Sequence, residues 1–356
     1  MTASHPVLPS ANPAARRLAN LDAMRFVAAI SIIWLHASDV PPHARFHLLS
    51  LFAVPFFAAS AATLAVRKGL KPDGGSLVNY ARGRVFRLYV PFFAWSAIYL
   101  VLRDAKHAIF HEPLLRPAPW MLISGAAGHL WFLPFIAVVT IAAFAYGRAA
   151  RSRVWYLPLT VVAAAAVPLS WLTPCPVSPS QRGLGFLVSL SWAALPSAIA
   201  GVLVGQSIED IQGFLARAKF LAWPLLLAAS GLLFNQFAHG ASVWQANAAG
   251  VLVLLAVLGP AEQLPIGWLA PLGELAYGIY LVHIAFLQLL EAILDYNNRS
   301  HVPWWQICLA FVLTVIASTL TAALLRRWRV TAWLIGAARV SRPAPLVRSG
   351  QEAAGS

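Results

Sequence analysis

Charge is scarce in this chain, and negative charge is scarcest. Of 356 residues only 12 are Asp or Glu, against 26 Lys or Arg, and all charged residues together make up 11%. A soluble globular domain carries about 25% charged residues. Here hydrophobic residues fill 60% of the chain and the mean hydropathy is +0.70. That balance excludes a soluble domain and indicates a multispanning membrane protein. Cysteine is nearly absent: Cys175 and Cys308 can supply neither a metal cluster nor a disulfide framework. A single bridge stays open beside the preferred reading of two unrelated core thiols. The motifs of soluble nucleotide-binding and hydrolytic enzymes are missing as well, with no Walker A loop, GxGxxG, HExxH or GxSxG. Any driving energy therefore comes from the substrate itself or from an ion gradient. No repeat of roughly 20–50 residues is visible, and no soluble domain interrupts the apolar segments. Nor is there a cleavable signal peptide. The first apolar segment is too long, contains Asp22 and Arg25, and reads as a signal anchor.

What the chain does have is a series of apolar runs of close to the roughly 20 residues that a membrane span needs. The first is Leu21–Asp39; the second runs from about Phe46 to Val66. NYARGRVFRLYVPFFAWSAIYLVL forms the third, followed by a polar stretch from Arg103 to Trp120, and GHLWFLPFIAVVTIAAFAY forms the fourth. Five more lie near Val154–Leu172, Phe186–Gln206, Phe220–Phe237, Val243–Leu258 and Pro271–Glu291, and the last is Trp304–Leu325. The expected fold is an all-α integral membrane protein of about ten transmembrane helices, with both termini cytoplasmic. A disordered cytoplasmic tail (1–20), a membrane domain (21–328) and a cytoplasmic C-terminal tail (329–356) complete the expected layout.

The placement of the basic residues supports that orientation. Cytoplasmic segments on this topology hold Arg16 and Arg17; Arg67, Lys68, Lys71, Arg82 and Arg84; Arg148, Arg151 and Arg153; Arg217 and Lys219; and Arg326, Arg327 and Arg329. The segment around Glu262 has no base, and the outer loops hold only Arg45, Arg103, Lys106, Arg116, Arg182 and Arg299. The net charge of +14 is thus an orientation signal, not a nucleic-acid footprint.

The stretch Leu21–Asp39 carries the sharpest functional signal. Arg25 and His36 are eleven residues apart, which in a helix puts them within roughly 20° of one face and about 16 Å apart along the axis. Asp22 and Asp39 lie close to the same stripe. Ionisable groups inside a bilayer cost several kcal/mol, so a line of them points into protein or a wet cavity and marks function. Asp22 and Arg25 also suit a simple cap and anchor, whereas nothing about an anchor requires an imidazole at His36. That imidazole suits a general base acting on a hydroxyl, with Asp39 one turn on to hold it. His129 and Trp131 open the fourth span at a depth comparable with His36. A catalytic role and a place in an interfacial aromatic belt suit them equally. Arg82, Arg84 and Arg87 begin the third span, where bidentate forks could bind the phosphates of a nucleotide-like donor. Lipid headgroups are the plainer partner for the first two; Arg87 lies deeper. In the ninth span Tyr277, Tyr280 and His283 follow at helical spacing between Glu274 and Glu291, a set richer in polar groups than packing requires.

Five pieces in this order resemble acyltransferase family 3, the multispanning bacterial O-acyltransferases. LDAMRFVAAISIIWLH matches the family's LDxxR followed by His eleven residues after the Arg, the most specific of the five. VPFFAASA is similar to its second-span motif, with Ala61 where Gly is usual. RVFRLYVPFFAWSAIYL, HLWFLPFI and LGELAYGIYLVHIAF resemble its later elements, with Phe26 for a frequent Gly and Ala276 for a Ser. The resemblance covers Leu21 to about Gln288. It implies transfer of an acyl group, acetyl in many members, from cytoplasmic acyl-CoA to a hydroxyl of an extracytoplasmic or lipid-linked glycan of the cell envelope, at a bacterial inner membrane. His36 would be the base, with Arg25 steadying the donor or the oxyanion. Arg82, Arg84 and Arg87 would hold the donor; His129, Trp131, Tyr277, Tyr280 and His283 would support the substrates. Acyl-CoA enters as a substrate, with no permanently bound cofactor, no metal and no nucleic acid; a homo-oligomer stays open. A transporter or flippase built from the same intramembrane charges is the competing reading, and a membrane scaffold a distant third.

Overall fold

The computed structural model describes residues 13–40, 43–109, 118–173, 175, 183–218, 220–260, 263–294 and 301–336. The basic residues Arg116, Arg182, Lys219 and Arg299, the acidic Glu262, and the expected tails before residue 13 and after 336 lie outside these, as do the side chains of Arg16 and Arg17. The described residues are 84% helix, with no strand among them. The helices are α1 (Pro13–Ala37), α2 (Ala53–Leu70), α3 (Leu77–Ile109), a single turn α4 (Met121–Ser124), α5 (Phe132–Ala149), α6 (Arg153–Leu172) and α7 (Gly183–Gln206). Then follow α8 (Ile208–Arg217), α9 (Ala222–His239), α10 (Val243–Val257), a single turn α11 (Ala270–Gly273), α12 (Ala276–Ile293) and α13 (Trp304–Arg327). Short 3₁₀ turns occupy Ala44–Ser50, Gly128–Trp131, Gly267–Leu269 and Ala332–Ile335.

Among the described residues seven helices are long and apolar enough to cross a membrane, namely α2 with its leading turn, α3, α5, α6, α7, α12 and α13. The number is eight if the bent pair α8–α9 is one span. Polar residues dilute the apolar run of α1, and α10 has 15 residues. Every apolar run read from the sequence nevertheless carries a helix. Two differ in extent. Helix α1 starts at Pro13, and α3 runs on to Ile109, so Arg103, Lys106 and His107 stand on its last turns and not in a loop. Lipid contact explains the outward faces: Val154, Leu157 and Val162 of α6 and Val312, Ile316 and Leu320 of α13 are all exposed.

The core is built on α2, which packs against α5, α7 and α10. Its small residues let backbones approach closely, as membrane helices require. A Cβ on Gly201 would stand 2.3 Å from the Ala59 carbonyl oxygen, and one on Gly205 2.6 Å from that of Thr63. Thr63 Oγ1 also donates to the Gly201 carbonyl at 2.9 Å. Pro196 interrupts α7, and a proline disturbs the hydrogen-bond ladder around it. The repair comes from α10. Asn247 Oδ1 accepts from the Ser197 amide at 3.0 Å, while Asn247 Nδ2 donates to the Ala193 carbonyl at 2.8 Å. A buried carboxamide thus stands in the rung that Ser197 and Ala193 would otherwise share. At one end of the bundle Trp34 meets Trp304 and Phe311 edge-on, and Phe46 packs on Trp304 and Phe237. At the opposite end Glu274 and Arg326 tie α12 to α13. Both cysteines are free thiols.

Candidate functional site

A cavity of about 1140 Å³ opens at the end of the bundle where α1 finishes. Its walls come from the same ends of α2, α3, α7, α10 and α12 and from the turn leading into α5. Ile32, Val54, Pro55, Phe132, Leu190 and Ile284 make them mostly apolar. The polar residues fall into two groups. Arg103, Lys106 and His107 of α3, Gln288 of α12 and Asp39, just beyond the end of α1, line the mouth. His36, Tyr99, His129 and Tyr280 lie further in.

Around that inner group the chain brings together side chains far apart in sequence. The His283 ring lies 5.5 Å from that of His36 and 5.1 Å from that of His129, centroid to centroid. His129 also meets Tyr99 edge-on at 5.2 Å and Tyr280 at 5.4 Å. Tyr280 donates its hydroxyl to the His129 carbonyl, and Tyr99 donates to that of Leu281 at 2.7 Å. His129 and His283 are buried, at 5% and 0% exposure. The His129 ring makes no well-aligned hydrogen bond among the described residues, although the Leu281 carbonyl, which also accepts from Tyr99, lies close to it. His283 Nδ1 lies 2.7 Å from the Tyr280 carbonyl, which can only accept; the proton therefore sits on Nδ1 and Nε2 is left as a bare base. His36 is half-buried at the cavity wall and meets His283, with no hydrogen bond to its ring among the described residues. Asp39 makes no hydrogen bond to His36, although it remains an ionisable neighbour of that ring. Asp39 is exposed, and its Oδ1 lies 3.5 Å from His47 Nδ1. Trp131 is buried beside the cluster and lines the cavity. Among the described residues no group of three or more His, Cys, Asp or Glu is arranged to hold a metal ion.

The arginines gather around the middle of α1, about three turns before His36. Arg25 Nη1 bonds Asp22 Oδ1 at 2.7 Å and feels the charge of Arg84. Arg87 in turn has Arg84, Tyr277 and Arg25 as ionisable neighbours. Arg84 Nε donates to the Tyr80 hydroxyl at 3.0 Å. Three cations thus converge with one carboxylate, which leaves positive charge for an anion. Arg82 does not join them. It is exposed, with its guanidinium 5.9 Å from the ring of Phe86. Nor does Arg25 stand with His36, since eleven residues of helix separate them by about 16 Å. The Tyr277 hydroxyl is buried without a partner near Arg87, one turn of α12 before Tyr280.

Sequence reasoning missed Tyr99, Asn247 and the polar mouth. Only the mouth had a signal: Arg103 and Lys106 are bases at the end of a span where the positive-inside pattern expects few. Comparison with known proteins gives one match. A family profile described as an acyltransferase domain, of the third acyltransferase family, covers residues 18–323. No curated protein and no solved structure matches the chain.

Proposed function

Since the chain belongs to this acyltransferase family and is a multi-pass membrane protein, we propose that it moves an acyl group, acetyl in the simplest case, from cytoplasmic acyl-CoA to a hydroxyl of an extracytoplasmic or lipid-linked glycan, in a bacterial inner membrane. The observation that carries this reading is the division of α1. Its middle, around Arg25, meets a cluster of arginines, and its C-terminal end meets the histidines of a cavity. A donor with an anionic head and a long thin arm fits that division. Its phosphates rest by Arg84 and Arg87 while the arm runs along α1, past Arg25, to bring the thioester to His36. The acceptor enters from the opposite side. A cavity of about 1140 Å³ exceeds the roughly 300–1,000 Å³ of ordinary small-molecule pockets, which suits a glycan.

In the transfer His36 takes the proton of the acceptor hydroxyl as its oxygen attacks the thioester carbonyl. The carbon–sulfur bond breaks, the ester forms, and the proton goes to the departing thiolate of coenzyme A. In the two-step variant the same His36 nitrogen attacks first and holds the acyl group until the hydroxyl arrives. Mass spectrometry of envelope glycans from cells with and without the protein tests the proposal. An acyl group present only with the protein is the expected result, and identical glycans would sink it.

The proposed topology makes α1, α2, α3, α5, α6, α7, α9, α10, α12 and α13 the ten spans, with both termini cytoplasmic. The inward bias of Arg and Lys supports it. Reporter domains fused after Gly147 and after Ser356 are expected to read cytoplasmic, and an outside signal from either breaks the arrangement.

A further inference from the structure

Beyond α13 the chain does not leave the bundle. Thr331 Oγ1 donates to the Leu325 carbonyl at 2.9 Å and the Trp328 carbonyl at 3.2 Å, closing the helix end. The turn Ala332–Ile335 then lays the backbone across α3. Two side chains of α3 hold it there. Trp95 Nε1 donates to the Leu334 carbonyl at 2.9 Å, and Arg87 Nε donates to the Gly336 carbonyl at 2.9 Å. The two are eight residues apart and so share a helix face. Ile335 is buried at 5% exposure, and a Cβ added to Gly278 of α12 would stand 3.2 Å from its Cγ2. Gly336 closes the segment at φ +61°, and a Cβ there would lie 2.7 Å from Tyr277 Cε1 and 2.8 Å from the Arg87 carbonyl oxygen. Conformation and space both demand glycine at this position.

The bond to Gly336 occupies one edge of a guanidinium. An arginine side chain is long and loses rotamer freedom when it binds. With Nε–H tied to a fixed carbonyl, the plane of the group is set, and the terminal fork makes no hydrogen bond among the described residues. A fork of that geometry matches two oxygens of a phosphate. We propose that residues 331–336 form a strap that aims Arg87, so that its terminal nitrogens face the phosphates of the acyl donor. Gly336 and Trp95 are its positioning residues. The inference rests on the reading of Arg87 as a donor-binding residue.

The test uses coenzyme A as the probe, with its dissociation constant measured on the protein in lipid nanodiscs. Arg87→Ala sets the scale and is expected to weaken binding at least about tenfold, the worth of a charge-assisted hydrogen bond. Truncation after Val330 should weaken it by a comparable factor, whereas truncation after Val340, which keeps the Gly336 carbonyl part of an amide, should leave it unchanged. Trp95→Phe removes the indole N–H with part of a buried ring while leaving an aromatic in its place, and should cost about threefold. Arg87→Ala combined with truncation after Val330 should lose no more than Arg87→Ala alone, since the strap acts through that one side chain. A merely structural strap would add its own loss to that of Arg87→Ala, and additive losses overturn the proposal. It also fails if Trp95→Phe and the Val330 truncation both bind coenzyme A like the wild type while Arg87→Ala does not; the donor reading then survives. If Arg87→Ala itself binds normally, the donor reading falls and takes the strap with it. Should the Val330 truncation not fold, Trp95→Phe alone and combined with Arg87→Ala completes the cycle.

Discussion

Replacement of His36 by Ala is expected to reduce acyl transfer by about 10²–10⁴-fold, the usual contribution of a positioned general base. The expectation rests on where the ring stands. His36 is on the wall of the cavity, half-buried, and its nitrogens are free of hydrogen bonds among the described residues. A histidine kept for structure alone would have its ring nitrogens tied to neighbouring groups. The loss should appear at saturating donor and acceptor, because the residue acts on the proton and not on either substrate's binding. His36→Gln, which can accept a hydrogen bond but cannot carry a proton, should be as impaired as His36→Ala. Membrane insertion and thermal stability of both variants serve as controls. Acylation near the wild-type rate by His36→Ala would dismiss His36 as base and as nucleophile together.

The helices were legible in the sequence because each is an apolar run bounded by charge or turn residues, and the ends of α6, α7, α10 and α13 lie within a few residues of those expected. The run that became the end of α3 was not, since Arg103, Asp104 and Lys106 read as loop by composition although the helix continues through them. Candidate residues were legible one helix at a time. Periodicity gives the face on which His36 or His283 sits but not the helix that face meets. Hence the sequence paired His36 with Arg25 and Asp39, its neighbours along α1, while the fold pairs it with His283. Arg25 pairs with Asp22 in the neighbourhood of Arg84 and Arg87, and Asp39 lies beside His47. The strap was invisible for a different reason. Its two anchors, the carbonyls of Leu334 and Gly336, are backbone groups that leave no mark in side-chain chemistry.

That change of partner alters what is expected of His283. Read from the sequence it is a supporting residue of the ninth span whose loss should be mild. In the fold its Nε2 is a buried base without a partner, and its ring stands against both His36 and His129. A nitrogen that has lost water and gained no hydrogen bond is costly to bury, on the order of 1–3 kcal/mol. The site is then best explained by a proton or N–H that reaches Nε2 during turnover, and catalytic contacts are commonly long before substrate binds. The proposed donor of that N–H is His36, whose ring centroid stands 5.5 Å from that of His283; one of its nitrogens would turn to His283 and the other to the acceptor. His283→Phe keeps an aromatic ring in the space but removes both nitrogens, and is expected to lower the turnover number by about 10–100-fold with little change in either KM. His283→Gln can place an amide oxygen near the Nε2 position and should recover much of that loss, because orienting His36 requires an acceptor and not a titrating group. The effect of His283→Phe should stay below that of His36→Ala. Measured turnover of His283→Phe equal to the wild type would return His283 to packing, and a Gln variant as slow as Phe would mean that Nε2 must itself carry the proton.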